Sequence, residues 1–138
     1  MGLSVLDAGV VIGFLDGDDS HHHGAVGALR SARDRSDRLV LPASALAETL
    51  VGPARRGGEA VAAVRALIER LPVQVEPLDA ATAEAAAGLR ARHSSLKLPD
   101  ALVIATASRL DADHLITTDR GWPTRAKLGM RASITTIR

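Results

Sequence analysis

The 138-residue sequence contains no Cys and no Tyr, and only one Trp and one Phe. Without Cys there is no disulfide scaffold, thiolate zinc site or cysteine nucleophile. The lack also suits a reducing compartment. Without aromatics, the stacking platforms of RNA-recognition sheets and single-strand-binding barrels are nearly out of reach. Charge of one sign is missing as well. Seventeen Lys and Arg face sixteen Asp and Glu, a net charge of +1, which gives no broad electrostatic footprint for non-specific nucleic-acid binding. No apolar run approaches the roughly 20 residues of a membrane span; the longest, Ala8 to Leu15, carries two glycines. The N-terminus shows no charged segment followed by an apolar stretch and cleavage site, so a cytoplasmic location and no membrane association are expected.

What is present is aliphatic. Hydrophobic residues make up 46% of the chain, and a chain of this length favours one domain over residues 1–138 with a single core of Leu, Val, Ile and Ala. Short apolar runs predict strands at Leu3–Leu6, Leu39–Leu41, Val73–Glu76, His114–Thr117 and Ser133–Ile137. Helices are predicted near Val10–Asp16, Ser20–Arg35, Ser44–Arg55, Glu59–Arg70, Asp79–Arg92 and Pro99–Asp111. Val61, Val64, Leu67, Ile68 and Leu71 recur at helical spacing. Strands separated by helices imply an α/β fold with a mostly parallel sheet of about five strands. The first four strands do not alternate in polarity, as expected when helices cover both faces.

In such folds the ligand site lies at the carboxyl ends of the strands. Asp7 follows the first strand directly, where its plainest role is to cap the next helix. Asp119 follows the fourth and reads most simply as a turn residue ahead of Gly121. Glu48 lies mid-helix, with Leu46 and Leu50 turned away and small neighbours on its own side, although a solvated glutamate would look the same. Asp100 shares a helical face with Val103, Ile104 and Ala107, so an acid continues an apolar stripe. Dipole stabilisation would serve equally well on an exposed face, whereas an acid on a buried face needs a partner, for which a cation is one candidate. Carboxylates gathered at one cleft repel and raise one another's pKa unless a cation neutralises them. Oxygen-only donors select Mg²⁺ or Mn²⁺, and the fitting chemistry is metal-assisted hydrolysis of a phosphodiester.

These residues carry a resemblance. Val5-Leu6-Asp7-Ala8, Ala45-Leu46-Ala47-Glu48, Leu98-Pro99-Asp100-Ala101 with its continuation to Ala107, and Leu115 to Trp122 resemble the PIN-domain ribonucleases, most closely the VapC toxins of toxin–antitoxin pairs. The resemblance spans essentially the whole chain. It implies a PIN-like three-layer α/β/α sandwich, an Mg²⁺ or Mn²⁺ centre and cleavage of single-stranded or structured RNA. By the same resemblance Asp7 and Asp100 are the direct metal ligands, Glu48 and Asp119 bind directly or through water, and Thr117 orients water or phosphate. It further implies a homodimer and a VapB-type antitoxin. One departure stands out: many relatives place Ser or Thr two residues after the first acid, where this chain has Gly9.

Other features are weaker. His21-His22-His23 point in different directions on a helix and cannot all hold one ion. Arg120 and Arg125 follow the last acid and are expected to reach RNA phosphate, positioning rather than reading it. Trp122 either stacks on a base or packs beneath its loop. Two other functions compete with the nuclease: a non-catalytic PIN-like module that binds RNA or protein, and a phosphoryl-transfer domain. The second lacks its acidic pairs here, because Asp7-Ala8-Gly9 offers no second acid.

Overall fold

A computed structural model describes residues 1–138. In chain order the elements are β1 (Leu3–Leu6), α1 (Ala8–Leu15), α2 (His22–Asp34), β2 (Arg38–Pro42), α3 (Ala43–Arg56), α4 (Gly58–Arg70), β3 (Gln74–Glu76), α5 (Ala80–Arg92), α6 (Leu98–Arg109), β4 (His114–Thr117), α7 (Arg125–Leu128) and β5 (Ser133–Thr136). The strands form one sheet in the order β3-β2-β1-β4-β5, and every pair is parallel. Right-handed crossovers then place α1 to α4 on one face and α5 to α7 on the other. This is the α/β architecture expected from the sequence, with a wholly parallel sheet.

Helix and strand boundaries follow local chemistry. Helix α1 starts at Ala8 rather than Val10 because the Asp7 carboxylate accepts the Ala8 N–H at 2.8 Å and caps it. Helix α2 starts at His22 rather than Ser20, because the Asp19 carboxylate holds the preceding residues in a turn by accepting from His21 N–H at 2.8 Å. Asp79 caps α5 through Thr82 N–H, so the helix itself starts at Ala80. Val73 stays outside β3, its N–H donated back to Ile68 O at 2.8 Å. Helix α7 was not foreseen. Thr124 caps it through Lys127 N–H, and Gly129, in the left-handed region at φ 67°, ends it.

The core is aliphatic, as the composition requires. All of β1 is buried, and α6 buries every residue from Ala101 to Ala107 except the half-buried Leu102. Enclosure on this scale stabilises by about 25 cal/mol for each Å² of apolar surface removed from water.

The amino end of the sheet is held by polar groups that the sequence did not single out. The Asp37 side chain is 2% exposed. Ser4 Oγ donates to it at 2.9 Å and Arg35 Nε at 3.0 Å. Burial alone would raise its pKa; the Ser4 hydroxyl and the Arg35 guanidinium outweigh burial and hold it below the usual carboxylate range. Asp113 accepts from Leu3 N–H at 2.8 Å and from Arg131 Nη2 at 2.9 Å, and these bonds hold its pKa low too.

Candidate active site

At the carboxyl end of the sheet, connections leave β1 and β4 in opposite directions. This topological switch point is where open parallel sheets bind ligands. The β1–β4 register pairs Leu6 with Ile116, and Asp7 N–H continues it by donating to Ile116 O at 2.9 Å. That places Asp7 opposite Thr117. The Thr117 hydroxyl donates to Asp7 Oδ2 at 2.8 Å and accepts from Asp119 N–H at 3.0 Å. Thr117 is fully buried, so its hydroxyl bridges the two post-strand acids from below. Asp119 Oδ1 in turn accepts Gly121 N–H at 2.7 Å and shapes the turn expected there.

Helices α3 and α6 supply the other acids. Helix α3 buries Ala45, Thr49 and Pro53 as one stripe, and Glu48 stands exposed beside it. Asp100 lies in the first turn of α6, one residue after Pro99. It is half-buried, whereas Val103, Ile104 and Ala107 on its face are fully buried, as the helical stripe predicted.

The acids are linked electrostatically, with Asp100 feeling the charges of the other three. Asp100 is pushed up to about 6, first by burial, then by the charges of Asp7 and Asp119, and less by Glu48. Asp7 is raised by burial and by Asp119, against the lowering effect of the Thr117 and Ala8 hydrogen bonds. Glu48 is raised by partial burial and by Asp7. The four sequence-predicted carboxylates therefore share one electrostatic environment. No three of them close into a ready-made coordination cluster.

Two residues contribute what the sequence did not reveal. The Trp122 indole N–H is buried and makes no formed hydrogen bond, yet it lies near enough to Asp100 to favour its charged form. Thr118 fills the space beside Gly9: a Cβ at position 9 would run into the Thr118 hydroxyl and methyl. A hydroxyl therefore does stand beside the first turn of α1, delivered from the β4 side. Only the register of two distant segments could have foretold it. Arg120 is exposed and forms none of the chain's ion pairs.

A family model described as the PIN domain matches residues 4–128. The chain belongs to the PIN-domain family. Solved structures extend the likeness to the fold. VapC20 from Mycobacterium tuberculosis, titled a Sarcin-Ricin loop cleaving toxin, is 21% identical over 81% of this chain and 86% of that one, with a TM-score of 0.64. VapBC2 from Rickettsia felis, bound to a DNA fragment from its promoter, is 12% identical over 99% of each chain, with a TM-score of 0.71. FitAcB from Neisseria gonorrhoeae is 20% identical over 94% and 96%, with a TM-score of 0.68. At these identities the shared feature is the PIN fold. No curated protein is significantly similar to the chain. No helix is long and apolar enough to cross a membrane.

The chemistry of the donor set suits a hard divalent cation. Every donor is a carboxylate, and the raised pKa values mark charge that the protein itself leaves unbalanced. Mg²⁺ is held by one or two carboxylates and keeps several waters, so a loose set of acids fits it better than a closed cage.

Proposed function

We propose that residues 1–138 act as one PIN domain that hydrolyses phosphodiester bonds of single-stranded or structured RNA, as the toxin of a VapBC-type pair. The observation that supports this reading is the meeting of Asp7, Glu48, Asp100 and Asp119 at the switch point, the first three with raised pKa values, and no cation of the protein's own among them. A structural ion-pair network would have paired such acids with Arg or Lys, as happens at the opposite end of the sheet.

In this reading Asp7 and Asp100 hold Mg²⁺ or Mn²⁺, and Glu48 and Asp119 bind it directly or through water. When bound, the ion lowers the pKa of water and stabilises negative charge on the phosphate. Thr117 keeps Asp7 and Asp119 in fixed relation, as outer partners of ligands do. Arg120 draws in a neighbouring phosphate of the substrate. A VapB-type antitoxin partner, a homodimer and a cytoplasmic setting belong to the same proposal. The antitoxin is supported by a relative from Klebsiella pneumoniae, 22% identical and titled a toxin–antitoxin complex.

The purified protein should cut unpaired RNA in Mg²⁺ or Mn²⁺ and stop on addition of EDTA. Asp7→Asn should abolish cleavage while the thermal unfolding transition survives. Cleavage by Asp7→Asn at the native rate would overturn the assignment.

A further inference from the structure

Two of the open clefts that carry arginines are of nearly equal size. One, of about 460 Å³, lies at the amino end of the sheet between α2 and β2, where Arg33 and Arg38 border it. The other, of about 430 Å³, begins at Asp119 and runs to the edge strand β5. Both fall within the size range of small-ligand pockets, about 300–1,000 Å³. Only the second opens onto the acids.

Its lining is mixed in a specific way. Arg120 and Arg125 supply charge, Ser133 and Thr136 supply hydroxyls, and Trp122 supplies a planar apolar wall. Arg125 is held by its Nε donating to Met130 O at 3.2 Å, which leaves its other N–H groups for a ligand. Ser133 and Thr136 are exposed on β5, which pairs only with β4. Trp122 is the chain's single Trp, and the single Phe lies elsewhere, at Phe14 beside a groove against α2. Of the two aromatic rings, Trp122 is the one that stands next to the carboxylates.

A fixed guanidinium, free hydroxyls and a half-exposed ring together match a nucleotide, with its phosphate, sugar and base. Unpaired bases are recognised by stacking on such rings. A strand lying across the acids must also continue to one side of them, and this cleft is continuous with Asp119. We propose that it is the subsite for the nucleotide beside the scissile phosphate, holding one unpaired base against Trp122 and its phosphate between Arg120 and Arg125. The proposal rests on the nuclease reading above, and names how that site selects unpaired RNA.

Because Trp122 is the only indole, its emission reports on the cleft directly. The probe is an unstructured hexaribonucleotide in Mg²⁺, added to Asp7→Asn protein so that it stays intact. Binding should quench Trp122 emission saturably and in step with the anisotropy of a labelled hexamer. Arg120→Ala, on an exposed side chain that leaves the fold intact, should weaken binding several-fold, and Trp122→Leu, followed by anisotropy, roughly tenfold. Arg33→Ala in the other cleft should leave binding unchanged. Hexamer binding without any change in Trp122 emission would overturn the subsite. So would equal losses from Arg33→Ala and Arg120→Ala, or tighter quenching by an acidic peptide than by RNA. In otherwise native protein, Arg120→Ala should raise KM for the hexamer and leave kcat in place; an unchanged KM rejects the subsite while cleavage stands. No cleavage at all by the native protein rejects the nuclease reading, and the binding titration still judges the cleft.

Discussion

At the amino end of the sheet, Asp37 and Asp113 are held by Ser4, Arg35, Arg131 and a backbone N–H, and their pKa values are lowered. At the carboxyl end, Asp7, Glu48 and Asp100 face one another and Asp119, and theirs are raised. The same residue type flanks a single strand at both ends: Asp113 precedes β4, and Asp119 follows it. The first arrangement satisfies its charges internally and stabilises the fold. The second leaves charge over, which under the proposed function is stability given up where a cation would bind. The difference separates internally paired acids from those proposed to hold a metal more sharply than side-chain exposure does, since the Asp37 side chain is only 2% exposed and Asp7 is buried.

The same Asp-to-Asn substitution should therefore act with opposite sign at the two ends. After Asp7→Asn, the largest effect is expected for Asp100→Asn. RNA cleavage in Mg²⁺ should fall by about 10²- to 10³-fold, the scale of losing one charge-stabilising group. Thermal unfolding of the metal-free protein at neutral pH should move to higher temperature, because one repelling charge is gone. An unfolding temperature lowered as far as in Asp37→Asn would break the comparison.

Thr117→Val keeps shape and removes the bridge between Asp7 and Asp119. Cleavage should drop by about 10- to 100-fold, as when outer partners of ligands are removed. A rise in the Mg²⁺ concentration needed for half-maximal rate would separate this from simple loss of fold. Asp37→Asn should cost about 1–3 kcal/mol in urea unfolding, because a part-buried, charge-assisted hydrogen-bond set is broken. Its cleavage rate per folded molecule should stay at the native value.

The smallest effect concerns pH. Asp100 has its pKa raised to about 6, so between the ordinary Asp value and about 6 the folded state holds more protons than the unfolded one. Stability from this group is present at low pH and lost as pH rises through that window. Asp37, with a lowered pKa, works the other way: its contribution is present above the unfolded value and lost as pH falls. Melting curves of wild type and Asp100→Asn without metal should diverge by a few degrees as pH rises from 4.5 to 7.5. Mg²⁺ should raise the wild-type midpoint more at pH 7.5 than at 4.5; an equal rise at both would place the ion elsewhere.

Much of this was legible along the chain. Strands β1 and β4 are strongly apolar and uninterrupted, and their limits match the sequence reading residue for residue. The four acids were singled out because the fold class says where ligands bind, and each acid sits just after a strand, on an apolar helical face or among small helical neighbours. What escaped depends on pairing between distant segments. Asp37 meets Ser4 across 33 residues and Asp113 meets Arg131 across 18, and no local pattern announces either. Helix α7 has four residues, too few to show periodicity, although Thr124 and Gly129 are ordinary start and stop residues. Thr117 was expected to orient water or phosphate; what the sequence could not show is that the register buries it with its hydroxyl bonded to Asp7 and to the Asp119 N–H.

Gly9 and Thr118 share the volume of a single side chain, and that makes the two positions interdependent in heredity as well as in space. Gly9→Ser alone collides with Thr118, and Thr118→Gly alone leaves a hole and removes a hydroxyl. Made together, they return one hydroxyl to the same place from the other segment. A lineage can cross from one solution to the other only through an intermediate worse than both, so descendants are expected to inherit the two residues as a linked pair.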